Sequence, residues 1–142
     1  MPDLSPTETV ARFFELQYAG DFDTAFRELA TEDFTWVVGS RDNDELRTGI
    51  PWAGHRHDGK AGYMELTGQL FGEFEVIDFR PDWFHDAGDR VLVEGHFRFK
   101  HRETGYVADS DWMARFDMRD GRIAGGQFYE NTFAVAAARV SD

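Results

Sequence analysis

The spacing of apolar residues changes from a helical period to a period of two at Glu73, and this change constrains the fold most strongly. Four β-like runs follow, over about residues 73–85, 89–102, 106–119 and 122–132. Short Gly-containing connections separate these runs, and connections of that kind join antiparallel strands. A strand of 12 residues would span roughly 40 Å at about 3.3 Å per residue. We therefore expect the sheet to bend, with Gly95, Gly125 and Gly126 at the bends.

The N-terminal half has the pattern of helices. The segment Ser5-Pro6-Thr7-Glu8 forms a capping box with Pro at the first helical position, and the helix that it begins ends at Gly20. We predict a second, shorter helix from Asp21, a short strand over residues 34–38, a polar loop over 39–49 and a third helix over about 59–71. Residues 132–139 favour a short helix. This order predicts an α+β fold in which a strongly curved antiparallel sheet wraps around about three N-terminal helices and leaves a cavity between them.

Length and charge narrow the class of protein. The 142 residues fit one domain, which we expect to span residues 1–142. The formal net charge of -12 is spread along the chain without a basic cluster, which argues against nucleic acid and an anionic membrane as partners. The first six residues lack the pattern of a signal peptide, so we expect a soluble, cytoplasmic protein. The absence of cysteine removes thiol nucleophiles and thiolate metal sites.

Aromatic residues are unusually frequent. The chain has 14 Phe, 4 Trp and 4 Tyr, and each such side chain buries roughly 150–250 Å². These residues can fill most of a core of this size and still line a pocket. Each aromatic residue is either ordinary core or part of the wall of such a pocket, and a hydrophobic small molecule is the partner that the pocket would bind.

Three stretches of the chain resemble a known family. They are residues 18–23 (YAGDFD), residues 50–56 (IPWAGHR), and residues 116–123 (FDMRDGRI) running on to 128–132 (FYENT). The chain resembles the SnoaL-like, ketosteroid-isomerase-related branch of the nuclear transport factor 2-like superfamily. The resemblance implies a cone-shaped fold and a homodimer formed through the outer face of the sheet. It does not imply one function, because this superfamily contains isomerases, hydrolases, cyclases, dehydratases and binding modules.

The residues that catalyse the reactions of two well-known branches are missing here. The steroid isomerases use a carboxylate base and two proton donors, and the corresponding positions hold Phe13, Val38 and Ala114. The limonene epoxide hydrolases use an Arg and two Asp, and those positions hold Gly95, Phe97 and Phe128. We therefore expect neither of these two reactions.

Three other residues remain as candidates for acid–base catalysis. Asp109 and Asp111 lie on the third long strand, where alternation places them opposite the apolar face that carries Trp112. They either belong to an outer, dimer-facing surface or turn inward at a bulge near Ser110, where apolar surroundings would raise their pKa values. His55 lies in the loop before the third helix, which the resemblance places at the rim of the cavity.

The candidate ligand-binding residues are polar residues of the last strand and aromatic residues of the wall. Tyr129 and Asn131 are the polar pair, and Glu130 has the opposite parity. The wall candidates are Tyr18, Trp36, Trp52, Tyr63, Trp83 and Trp112. His55, His57 and Asp58 supply too few ligands for a metal, so we expect neither a metal nor another cofactor.

Two functions are consistent with these patterns. The first is a cofactor-independent isomerase, lyase or cyclase that acts on a hydrophobic substrate, with Asp111, Asp109 or His55 moving a proton. The second is a non-catalytic, dimeric ligand-binding or scaffold domain that has lost its acid–base residues.

Overall fold

The structure, a computed structural model, describes residues 4–141. Within that range the elements are α1 (Pro6–Tyr18), α2 (Phe22–Leu29), β1 (Ala30–Val38), α3 (Asp44–Gly49), β2 (Arg56–Asp58), α4 (Gly59–Glu73), β3 (Phe74–Asp86), β4 (Arg90–His101), β5 (Val107–Arg119), β6 (Arg122–Glu130) and α5 (Thr132–Ala138). Of the helices in this range, none has both the length and the apolar composition needed to cross a membrane.

The first two helices begin where their capping residues predict. The Ser5 hydroxyl accepts a hydrogen bond from the Glu8 backbone N–H at 3.2 Å, and the Glu8 carboxylate accepts one from the Ser5 N–H at 3.0 Å. This reciprocal pair confirms the capping box. The Asp21 carboxylate caps α2 in the same way by accepting from the Thr24 N–H at 3.1 Å.

The sheet has six strands in the order β2-β1-β6-β5-β4-β3. Strands β3 to β6 form the predicted antiparallel meander. Strand β1 joins it by pairing in parallel with β6, and β2 pairs with the other edge of β1. The structure thus confirms an α+β fold with a curved sheet, which is antiparallel except at the parallel pair of β1 and β6.

Three local predictions differ from the structure. The first strand begins at Ala30 rather than at residue 34, and residues 56–58 pair with it as β2. Part of the predicted polar loop, residues 39–49, forms the short helix α3. Its N-cap is Asn43, whose side chain accepts from the Leu46 N–H at 2.9 Å. Leu46 itself packs against the core, and this tertiary contact favours a helix within a polar segment.

Glycines allow the sheet to curve where the prediction places them. The register of β3 against β4 shifts beside the pair Pro81 and Gly95, and that of β5 against β6 shifts beside Gly125. A Cβ at Gly95 would overlap the ring of Trp112, and one at Gly125 would overlap the Thr35 backbone. Only glycine permits these close approaches.

The hydrophobic core lies between the inner face of the sheet and the helices. Aromatic rings dominate it: Phe79 stacks on Trp112 with a centroid distance of 5.0 Å, and Trp112 stacks on Phe128 at 5.1 Å. Along β4 and β5, buried residues alternate with more exposed ones, so the opposite face of these strands is more exposed and carries most of their charged residues. The sheet therefore presents an apolar wall to the helices.

Candidate functional site

A cavity of about 330 Å³ lies between the inner face of the sheet and helices α1, α2 and α4. This volume is within the range of roughly 300–1,000 Å³ that is typical of small-molecule sites. Most of the wall is aromatic or aliphatic, and Tyr18, Phe71 and Val76 are the lining residues most exposed to solvent. They mark the opening of the cavity. The lining consists of Phe14, Gln17, Tyr18, Phe22, Trp36, Val38, Trp52, Tyr63, Leu66, Thr67, Leu70, Phe71, Val76, Phe79, Phe99, Phe116, Phe128 and Glu130.

Glu130 is the one carboxylic acid in this lining. It is the last residue of β6 and lies opposite Trp112 of β5, so both side chains occupy the inner face. Burial raises the pKa of the Glu130 carboxyl to about 8, and no charged or hydrogen-bonding partner among residues 4–141 offsets this effect. The Glu130 side chain nevertheless remains partly accessible to solvent, because it faces the cavity. Glu130 is therefore an ionisable group that a bound molecule can reach.

Gln17 and Tyr63 form a second polar feature of the wall. The Tyr63 hydroxyl donates to the Gln17 Oε1 at 2.6 Å, joining α4 to α1. Tyr63 is buried, and burial raises the pKa of its phenol well above its usual value, so the hydroxyl remains protonated. The Gln17 Nε2 is buried without a hydrogen-bond partner among the described residues. An unsatisfied donor of this kind is costly unless a ligand or water uses it.

Four of the eight predicted ligand-binding residues line the cavity. They are Tyr18, Trp36, Tyr63 and Trp52. Trp36 is buried on β1, and Trp52 is buried in the segment before β2. Tyr18 lies at the end of α1, where its hydroxyl donates to the Phe79 carbonyl.

The other four lie elsewhere. Trp112 packs behind Phe79 and Phe128 rather than in the lining, and its indole N–H has no partner among the described residues. Trp83 and Tyr129 are exposed on the outer face of the sheet, where they border an open groove of about 570 Å³. Asn131 caps α5, since its side chain accepts from the Ala134 N–H.

The predicted catalytic carboxylates also lie on the outer face. The register of β4 against β5 continues without a shift from Arg90 to Lys100, so the bulge considered near Ser110 is absent. Asp111 and Asp109 each lie 2.8 Å from a ring nitrogen of His96. The hydrogen bond that the Asp111 carboxylate accepts from the His96 ring is the main cause that raises the pKa of His96. Neither carboxylate lines the cavity.

His55 is partly buried beside His57, with 4.4 Å between the ring centroids. Each ring is tied to the backbone through its Nε2: His55 lies 3.1 Å from the Pro51 carbonyl, and His57 lies 2.7 Å from the Trp52 carbonyl. Neither histidine belongs to the cavity lining. In the described range 4–141, no group of three or more His, Asp or Glu side chains could hold a metal ion.

Sequence reasoning missed Glu130 and Gln17. Glu130 has the same parity as Phe128, which the alignment with the epoxide hydrolases had already placed at an active-site position. Residues two apart on a strand lie on the same face, so this alternation predicts that Glu130 faces inward as Phe128 does. No comparable signal marked Gln17, because only the packing of α4 against α1 brings Tyr63 to its side-chain oxygen.

Similar proteins agree with this architecture. The patulin synthesis protein F of Aspergillus clavatus is 31% identical over 121 residues, which is 84% of this chain and 61% of that protein. The chain thus spans less than two thirds of this relative's length. A nuclear transport factor 2-like protein from Burkholderia xenovorans has a TM-score of 0.76 at 25% identity, with 94% of each chain covered. TerC, crystallised with polyporic acid, has a TM-score of 0.77 at 22% identity, with 94% of this chain and 98% of TerC covered.

The family assignment rests on the sequence as well as on the fold. Residues 10–125 match the family described as the SnoaL-like domain, which is most of the chain from the middle of α1 to β6. The resemblance found in residues 18–23, 50–56 and 116–123 is therefore confirmed. The chain belongs to the SnoaL-like domain family, within the nuclear transport factor 2-like fold.

Proposed function

We propose that this protein is a cofactor-independent acid–base catalyst that isomerises a small, uncharged, oxygen-containing ring compound. The observation that carries the proposal is the placement of Glu130, a carboxyl with a pKa of about 8, in an otherwise largely apolar cavity. A general base works best when its pKa lies near the operating pH. An exposed Glu, with a pKa near the ordinary value of 4.5, is a much weaker base.

The chemistry requires one group that accepts a proton and returns it. Ionised Glu130 would remove a proton from a carbon next to a carbonyl group, leaving an enolate and a neutral carboxylic acid. The carboxylic acid would then return the same proton to a different carbon of the conjugated system. The C–H bond that breaks is replaced by another C–H bond, so the reaction consumes no oxidant, reductant or second substrate.

The charge of the cavity limits the substrate. No Lys, Arg or His of the described residues belongs to the lining, and Glu130 would repel an anion when ionised. A phosphate or carboxylate group would enter without a counter-ion, which is costly in an apolar site. The aromatic wall favours a planar ring.

The relatives support a small organic ligand without identifying it. The relative from Aspergillus clavatus is named for the synthesis of patulin, and the fold neighbour TerC was crystallised with polyporic acid. From these two names we carry over to this chain only that a small organic molecule binds in the cavity.

The test is proton exchange with solvent. Cyclohexenone and a β,γ-unsaturated butenolide are incubated with the protein in D₂O, and loss of the signals of the CH₂ group next to the carbonyl is followed by NMR. We expect the protein to accelerate exchange and Glu130→Gln to reduce the acceleration at least 100-fold, the scale of a positioned general base. In the wild type, the rate should rise tenfold per pH unit below about pH 8 and then level off, because the ionised form is the base.

Matched variants separate Glu130 from the other candidates. Asp109→Asn, Asp111→Asn and His55→Gln remove the acid–base groups that lie outside the lining. We expect each to keep the exchange rate within about twofold. If one of these variants abolished exchange while Glu130→Gln did not, the base would be that residue. If the wild type bound both probes without any exchange, a non-catalytic ligand-binding role would replace this proposal.

We also propose a homodimer through the outer face of the sheet. Trp83, Met113 and Tyr129 expose 63%, 42% and 44% of their surfaces there, among charges of both signs. A second copy related by a twofold axis would cover this apolar patch and pair acidic with basic groups. Light scattering should give twice the chain mass, and Met113→Glu should give the monomer. Met64→Glu, at an equally exposed position on α4, is the control. A wild-type monomer at micromolar concentration would refute the dimer.

A further inference from the structure

We infer that the Gln17 side-chain amide is the hydrogen-bond donor that recognises the substrate carbonyl, and that Tyr63 is the residue that positions it. This inference rests on the proposed function and assigns the residue that binds the carbonyl oxygen of the substrate. Glu130 would act on the carbon, while Gln17 would hold the oxygen on which negative charge develops. It also defines the substrate class as an uncharged ring carbonyl compound, such as an enone or an unsaturated lactone.

The orientation of the Gln17 amide is set by its hydrogen bond with Tyr63. Tyr63 is a buried phenol whose hydroxyl stays protonated, so it needs an acceptor. The side-chain oxygen of Gln17, at 2.6 Å, is the acceptor that it reaches. Turning the amide over would place its NH₂ against the hydroxyl and leave the phenolic proton without that acceptor. Tyr63 therefore fixes the amide with its oxygen toward α4.

The same amide carries a donor that has no partner among the described residues. With its oxygen occupied by Tyr63, Gln17 retains an NH₂ group that is buried and has no partner among the described residues. Gln17 belongs to the lining of the same cavity as Glu130. A carbonyl oxygen of a bound molecule can satisfy this donor, whereas a hydrocarbon cannot.

The cavity that Gln17 lines is largely apolar. An N–H group in apolar surroundings stabilises a developing oxyanion more strongly than it would in water. The aromatic wall excludes competing water, and no cation among the described lining residues is available to bind the oxygen instead. Sites that are built around a single hydrogen bond discriminate against analogues that lack the partner group.

The test compares cyclohexenone with cyclohexene, two rings of similar shape that differ in the carbonyl group. Binding is measured by NMR titration, and the ¹³C shift of labelled cyclohexenone reports hydrogen bonding to its oxygen. We expect the wild type to prefer cyclohexenone and to move the carbonyl signal downfield. In Gln17→Leu, the preference should fall about tenfold and the downfield shift should disappear. Thr67→Val is the control, since Thr67 also lines the cavity but its hydroxyl already donates to the Met64 carbonyl.

A double-variant cycle tests the role of Tyr63. If Tyr63 acts by holding the amide, Tyr63→Phe weakens cyclohexenone binding severalfold in the wild type but has no further effect in Gln17→Leu. A purely packing role would give the same loss in both backgrounds. The double variant also leaves no orphaned hydroxyl, so it reports on binding if Gln17→Leu alone fails to fold.

The two proposals can fail separately. Glu130→Gln should keep the downfield carbonyl shift, because it does not alter Gln17. If the shift persists in the wild type but no proton exchange occurs, the catalytic proposal fails and the recognition role of Gln17 stands. Unchanged preference and unchanged shift in Gln17→Leu would refute this inference, whatever the result of the exchange experiment.

Discussion

Replacing Glu130 with Gln is expected to make the protein more stable at high pH, and the size of the effect follows from the burial of one carboxyl. The folded-state pKa is about 8, compared with the ordinary value of 4.5. Between these two values, the folded state binds a proton that the unfolded state has released. The free energy of unfolding therefore falls as the pH rises through this range. Glutamine is neutral in both states, so the variant lacks this dependence.

The same shift gives the free-energy cost of Glu130 to folding, since one pKa unit corresponds to about 1.4 kcal/mol. With the folded pKa at about 8, Glu130 costs about 1 kcal/mol at pH 5, about 3 kcal/mol at pH 7 and about 5 kcal/mol at pH 9. The stability difference between Glu130→Gln and the wild type is therefore expected to grow by up to about 4 kcal/mol from pH 5 to pH 9. Water that enters the cavity and solvates the carboxylate would reduce the increase to about 2 kcal/mol.

Urea unfolding at one-unit pH intervals measures this difference directly. Other groups that titrate over the same range contribute equally to both proteins and cancel in the comparison. Glu28→Gln makes the same substitution at an exposed position on α2 and is the control for effects that arise outside the cavity. If Glu130→Gln gave a constant difference from pH 5 to pH 9, Glu130 would titrate as an exposed carboxylate does. It would then be too weak a base near neutral pH for the proposed reaction.

Two further predictions concern the sheet and its outer face. Gly95→Ala is expected to destabilise the protein by about 2 kcal/mol or more in urea unfolding, because the added methyl group overlaps the ring of Trp112. Gly68→Ala, in the open middle of α4, is expected to stabilise it by about 0.5–1 kcal/mol through helix propensity, and two changes of the same sign would contradict this reasoning. Asp111→Asn is expected to lower the NMR-measured pKa of His96, since their hydrogen bond is the main cause that raises it, and an unchanged pKa would contradict that geometry.

The architecture was largely predictable because its signals are local. The switch to a period of two at residue 73 marks β3 to β6 closely, and the capping box places the start of α1. The parallel pairing of β1 with β6 was not predicted, because it joins residues about 90 positions apart and leaves no periodic signal. Helix α3 was missed for a similar reason: Leu46 acquires its packing partners only in the folded chain.

The candidate site was less predictable than the fold, because side chains alternate between the two faces of a strand and an error of one residue selects the wrong face. A sequence motif directed attention to Tyr129 and Asn131, although the strand ends at Glu130 and Asn131 already caps the next helix. Because side chains alternate, the choice of Tyr129 excluded Glu130. Alternation alone placed Asp109 and Asp111 on the outer face correctly, whereas the bulge needed to turn them inward had no support in the strand itself.

The aromatic residues at the catalytic positions of the relatives have a different meaning once Glu130 is taken into account. The resemblance places Phe13 and Phe128 where relatives use polar groups, and by itself it predicts a loss of acid–base chemistry. Phe128 lines the cavity, and Phe13 is buried in the core beside it. Phe128 lies two residues before Glu130 on the same face of β6, so a polar side chain there would make the surroundings of the carboxyl less apolar, whereas phenylalanine leaves burial as the cause of the raised pKa of Glu130. The same apolar surroundings that offer no proton donor at Phe128 therefore raise the pKa of the Glu130 carboxyl to about 8, which is the range of a base that works at neutral pH.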